Sequence, residues 1–221
     1  MAQAVPVNDE SLSAQTYHAL RTGIIVGRYE PGSALKEHRL AEELEVSRIP
    51  IRSAIMQLDH DGFLVTAPRR SARVAAWTER SINELFDVRL SLEGLAARLA
   101  AQNAADGASA DVLAEALAEA HRAVDGGDRL AIAEAHARFH QTIVELADSG
   151  LLSTLMRAVG GRMTWMFYLT GTDRDPGVQS HEHDELLDAI AAGNARLAES
   201  LAFSHIEKGR APSLGIILGD G

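Results

Sequence analysis

No cysteine occurs in the 221 residues, so disulfides and thiolate metal sites are excluded and a reducing cytoplasm is permitted. No apolar run approaches the ~18 residues that a membrane span requires, and no membrane partner is expected. Residues 1–10 lack the basic and apolar pattern of a signal peptide and read as a disordered arm. Neither an H-E-x-x-H motif nor a P-loop is present. Gly160-Gly161 follows no strand and is no phosphate loop. An overall basic excess is missing too: the formal net charge is −10.

What is present is unevenly distributed. Hydrophobic residues make up 46%, enough for a sizeable core. Of the 21 basic and 31 acidic residues, nine of each lie up to Thr78, so the whole −10 falls on the remainder. A neutral N-terminal region can bind DNA when its arginines share a face, whereas an acidic region is a poor DNA surface. Two modules follow, a DNA-binding domain over 11–76 and a helical domain over 80–221, with a disordered arm over 1–10 before the first and a linker over 77–79 between them.

The run Val46-Ser47-Arg48-Ile49-Pro50-Ile51-Arg52 reads as a helix start. Ser47 is a suitable N-cap whose hydroxyl can accept from a first-turn amide. Pro50 is tolerated in the first turn. Arg48 and Arg52 lie four apart and share a side, which suits phosphates and guanine edges in a major groove. A helix over Ser11 to Val26 and a second beginning near Lys36-Glu37 precede it. The second and third helices form a helix-turn-helix around Glu45-Val46. Phe63–Thr66 and Ala72–Ala75 read as paired strands of a wing around Pro68-Arg69-Arg70-Ser71.

Beyond Thr78 the pattern is helical. Leu85, Val88, Leu92, Leu95 and Leu99 recur at spacings of three and four and predict a packed stripe. Five further helices follow, over 110–124, 128–147, 151–169, about 178–192 and 194–208, separated by Gly-containing breaks that include Gly171 to Gly177. The fold class expected is mainly α: an N-terminal winged helix-turn-helix and a C-terminal antiparallel six-helix bundle.

Histidine is the second signal. His136 and His140 share a helix face, while His183 near the start of the fifth bundle helix and His205 near the end of the sixth can be close in an antiparallel pair. Four converging imidazoles suit zinc, nickel, copper or iron. His181-Glu182-His183 could instead supply both of its histidines. Arg89 and Glu93 are either a surface pair or a buried one, in which the Arg89 fork could grip a ligand carboxylate. The cluster around Met163, Trp165, Met166, Phe167 and Tyr168 is read as core, part of which can line a cavity. A metal-dependent enzyme with a winged-helix appendage is the alternative, though four protein ligands leave no open catalytic position. A constitutive DNA-bending protein with a structural bundle is a third reading.

The stretch Leu20 to Ala75 resembles the winged helix-turn-helix of the GntR family of transcription regulators. The resemblance is carried by Pro31-Gly32-x-x-Leu35, by Leu40-Ala41-x-x-Leu44-x-Val46-Ser47-Arg48-x-Pro50-x-Arg52 and by Leu58-x-x-x-Gly62. Val88-Arg89-x-x-Leu92-Glu93, Phe139-His140 and His183 followed by Ala189-Ile190 resemble the FadR-type effector domain, the FCD domain, in its shorter six-helix, VanR-like version. The resemblance implies a cytoplasmic homodimer that binds a pseudo-palindromic double-stranded DNA operator, acts as a repressor and responds to a small organic-acid effector. It implies DNA contacts by Ser47, Arg48 and Arg52, with Arg39, Arg69 and Arg70 as further candidates. It implies a divalent transition metal, zinc or nickel, on His136, His140, His183 and His205, and an effector carboxylate held by Arg89. His136 stands where the family has aspartate, and Glu45 and Ser71 where it has glycine. His38 occupies a position that is often basic, and Leu151 one that is often asparagine.

Overall fold

The computed structural model describes residues 11–68, 70–171 and 176–219, and the side chains of these except 176–180. The arm over 1–10, Arg69 and most of the Gly171–Gly177 connection lie outside the described residues. The chain divides into two compact units, Met1–Ala76 and Trp77–Gly221.

In the first unit, Ser11 caps α1 (Leu12–Ile25) by accepting from the Ala14 amide. Leu20, Ile24 and Ile25 are buried against α3 (Arg48–His60), which turns Ile51, Ala54 and Leu58 inward. Between them comes α2 (Glu37–Glu43), anchored by Leu40. Its C-terminus is closed by hydrogen bonds that the Val46 and Glu45 amides donate to the carbonyls of Ala41 and Glu42, the pattern that needs a left-handed residue at the turn. That residue is Glu45, at φ 53°. Ser47 occupies the N-cap position of α3, but its hydroxyl makes no capping bond, so the cap expected there is a position without its interaction.

The wing pairs β2 (Leu64–Val65) with β3 (Ala72–Val74), Leu64 opposite Val74. A third strand was not legible in the sequence: β1 (Ala34–Leu35) pairs with the other edge of β3, giving the order β1-β3-β2. Two residues are too few for an alternation signal. Asp59 fastens the wing by accepting from the Thr66 amide and hydroxyl.

The second unit contains six helices among the described residues: α4 (Glu79–Ala105), α5 (Asp111–Gly126), α6 (Arg129–Leu146), α7 (Gly150–Thr170), α8 (Pro176–Ala191) and α9 (Ala195–Leu218). Thr78 and Ser81 start α4 with a reciprocal cap in which each side chain satisfies the other's amide. The buried face of α4 is not the expected leucine stripe. It consists of Ile82, Leu85, Phe86, Arg89, Glu93, Gly94, Ala96, Ala97, Ala100 and Ala101. Of the stripe only Leu85 is buried; Leu92, Leu95 and Leu99 are half-buried and Val88 is exposed. Helices pack on several sides of α4, and alanines let them approach closely where leucines would hold them apart.

The last helix ends ten residues later than its pattern suggested. Gly209 and Pro212 look like a stop, yet α9 continues through Pro212 to Leu218. Arg210 accounts for much of this. Its guanidinium donates to the Asn83 carbonyl at 3.2 Å and to Asp87 at 2.8 Å, tying α9 to α4.

Candidate DNA surface and metal centre

Ser47, Arg48, Arg52, Arg39 and Arg70 are all exposed. Arg48 at the start of α3 and Arg70 and Ser71 of the wing line one open cleft of about 690 Å³ with Lys36, Glu37 and His38. Lys36 and His38 thus add basic groups to this face. Arg39 lines an adjoining groove with Arg28 and Tyr29, and Lys36 borders both. Arg52 is held by Glu37, with Nε 2.8 Å from the carboxylate.

In the bundle, His140 of α6, His183 of α8 and His205 of α9 converge, all buried, with one donor nitrogen of each within 4.8 Å of the others. The Nε2 atoms of His183 and His205 are 3.2 Å apart. Two imidazole nitrogens bound to one ion at about 2.0–2.1 Å would stand about 2.9–3.4 Å apart between right-angle and tetrahedral geometry. The donor set therefore fits a transition metal. His136 lies in the same cavity, its ring centre 5.5 Å from that of His183, but outside the three-nitrogen cluster. His181 turns away to Glu185 and is 75% exposed, because residues two apart on a helix point to different sides.

Two carboxylates stand behind these imidazoles. Glu93 on α4 lies 2.6 Å from Nδ1 of His140 and also binds Nε of Arg89 at 2.6 Å. Arg89 and Glu93 are 3% and 4% exposed, so the pair is buried and not a surface pair. Glu182 lies 2.8 Å from Nδ1 of His205 and 2.8 Å from Lys208. Burial pushes the Glu93 carboxyl upward, but the charge of Arg89 and the hydrogen bonds from His140 and Arg89 outweigh it and hold the group at about 2. The His205 hydrogen bond is the largest influence keeping Glu182 at about 2 as well. Burial pushes His205 down to about 4, so its imidazole is neutral near pH 7, the form that binds metals.

Arg89, Phe86, Phe167, Thr170, Gly209 and Ser213 close the cavity around the histidines. Its solvent-admitting volume is about 10 Å³, near the minimum for one water.

Comparison with known proteins decides what these two arrangements belong to. Residues 12–74 match the family described as bacterial regulatory proteins, gntR family, and residues 84–208 match the FCD domain. The chain is a GntR-family transcription regulator with an FCD domain. It is 28% identical to the "Probable D-xylose utilization operon transcriptional repressor" of Paenarthrobacter nicotinovorans, over 83% of this chain and 80% of that protein. It is 27% identical to the HTH-type transcriptional regulator YdhC of Bacillus subtilis (strain 168), over 86% of each. A crystal structure of a GntR transcriptional regulator from Rhodococcus sp. RHA1 superposes with a TM-score of 0.75 at 27% identity, covering 93% of this chain and 99% of that one.

This GntR regulator is not an enzyme, and the histidines belong to the FCD domain of a transcription regulator. No described helix is long and apolar enough to cross a membrane. Arg69 lies outside the described residues. Glu182 carries no signal of its own in the sequence, because carboxylates near a histidine are common in an acidic domain. Gly209 and Ser213 lie beyond Lys208, where the sequence pattern ends the helix that carries them.

Proposed function

We propose that this regulator is a metabolite-responsive repressor, acting in the cytoplasm as a homodimer on a pseudo-palindromic duplex operator. Arg48 and Arg52 read and grip the operator, Ser47 meets a phosphate at the helix start, and Arg39, Arg69 and Arg70 add backbone contacts. The FCD domain holds a divalent transition metal, zinc or nickel, through His140, His183 and His205, with His136 as the candidate fourth ligand. A small organic acid binds beside it, and Arg89 supports its carboxylate.

The observation that carries this reading is the convergence of three buried imidazoles from three helices. Three neutral imidazoles leave the charge of a bound dication uncancelled, which favours an anionic effector. The cavity is too tight for a metabolite as it stands, so effector binding must move its walls. A ligand that binds only the opened arrangement shifts the population of the states. Operator affinity changes by the same differential free energy, ordinarily about 1–3 kcal/mol.

The experiment has two arms. A duplex selected by the wild-type protein from random sequences is footprinted with wild type and with Arg48→Ala, and the variant is expected to lose protection. Wild-type protection by Arg48→Ala would overturn the DNA assignment. In calorimetry, Zn²⁺ or Ni²⁺ is expected to bind wild type and not His140→Ala or His183→Ala; equal binding to all three would overturn the metal assignment.

A further inference from the structure

The two carboxylates behind the histidines are expensive features. Glu93 is 4% exposed and Glu182 9%, and a buried ion pair often stabilises no more than well-packed apolar side chains would. Their common property is what they touch. Each meets the Nδ1 atom of a histidine from another helix: Glu93 of α4 meets His140 of α6, and Glu182 of α8 meets His205 of α9. Each also has a cation on its other side, Arg89 at 2.6 Å and Lys208 at 2.8 Å, which keeps it ionised and confined to an acceptor role.

We propose that Glu93 and Glu182 are positioning residues that set the tautomer of His140 and His205 before metal arrives. A carboxylate facing Nδ1 places the imidazole proton there, because an ionised carboxylate can only accept. Nε2 is then the unprotonated nitrogen and turns its lone pair to the cluster. Without this control the neutral ring divides between two tautomers, and the one protonated at Nε2 cannot ligate. Glu182 is adjacent in sequence to His183, whose Nε2 faces that of His205 at 3.2 Å. One turn of α8 thus delivers a ligand and orients a second ligand from α9. Arg89 has a second part beside the effector role proposed above: Nε and Nη2 are directed to Glu93, at 2.6 and 3.4 Å, and the Glu93 carboxylate connects it to His140.

The inference rests on the metal reading, and the test separates the two. Full-length metal-free protein labelled with ¹⁵N-histidine is examined by NMR, and Co²⁺ binding is followed by its visible absorption. Wild type is expected to show His140 and His205 protonated at Nδ1. Glu182→Leu is expected to lose that signature at His205 and to bind Co²⁺ about 10–100-fold more weakly. Glu182→Gln, whose amide oxygen can still accept from Nδ1, is expected to restore the tautomer and part of the affinity. Glu93→Gln is expected to weaken Co²⁺ binding similarly. If loss of the charge beside Arg89 prevents that variant from folding, the Glu182 pair still decides, because Lys208 is largely solvated.

A wild type that fails to bind Co²⁺ overturns the metal reading and the inference with it. A wild type that binds, beside a folded Glu182→Leu with unchanged tautomer and affinity, overturns the inference alone. A purely structural carboxylate would change the melting temperature and leave both readouts where they were.

Discussion

Arg52 directs its Nε to a carboxylate oxygen of Glu37 at 2.8 Å, so the second arginine of the recognition helix is already engaged by an acid in the DNA-free protein. Phosphate binding must displace Glu37 or accommodate its negative charge. The pair is largely exposed, at 62% and 39%, so little energy is at stake. Glu37→Gln is expected to tighten binding to non-specific duplex by roughly 2- to 5-fold, the equivalent of an exposed ion pair. Anisotropy titrations across a salt series check this; unchanged affinity at low salt would show that Arg52 does not reach the backbone.

Glu45 is held at φ 53°, in the turn between the helices of the helix-turn-helix. A side chain in that region costs roughly 1–2 kcal/mol relative to glycine, partly offset by the greater freedom of glycine in the unfolded chain. Glu45→Gly is expected to stabilise the protein by up to about 1 kcal/mol, read as a higher denaturant midpoint. A lower midpoint would mean that the glutamate makes a compensating contact.

Alkaline pH is expected to weaken the winged-helix unit through Tyr29. Burial, and then its 2.7 Å hydrogen bond to Glu43, raise this phenol to about 12 from an ordinary value of 10. The folded state therefore keeps a proton that the unfolded chain releases earlier. This contribution is complete below pH 10 and is lost as the pH rises from 10 towards 12. Tyr29→Phe should flatten that part of the stability profile; a variant with the same alkaline slope as wild type would refute the assignment.

Chelation is expected to lower the melting temperature of protein prepared with zinc. A ligand at 100 times its Kd stabilises the native state by about 2.7 kcal/mol. Scanning calorimetry with and without EDTA should show the difference in wild type and its loss in His140→Ala. Equal shifts in both would place the zinc elsewhere.

Much of the site was legible because its parts obey local rules. Arg48 and Arg52, and His136 and His140, are related by helix periodicity alone. The pairing of His183 with His205 needed only the assumption that consecutive helices run antiparallel. Other features had no local signature. The leucine stripe of α4 marks a half-buried face, while the face that packs and carries Arg89 and Glu93 is rich in alanine and charge. Hydrophobic periodicity detects large apolar side chains, not the small ones that allow helices to touch. The extension of α9 past Pro212 depends on Arg210 reaching Asn83 and Asp87, residues more than 120 positions away.

By itself the sequence determined the two modules, the charge split between them and the residue types of both sites, since these depend on composition and on spacing within single elements. Only the tertiary structure decided which imidazoles meet and that Glu93 and Glu182 stand behind His140 and His205. Each of those relationships is made between helices, and the distance between two helices is a property of their packing, which no single helix encodes.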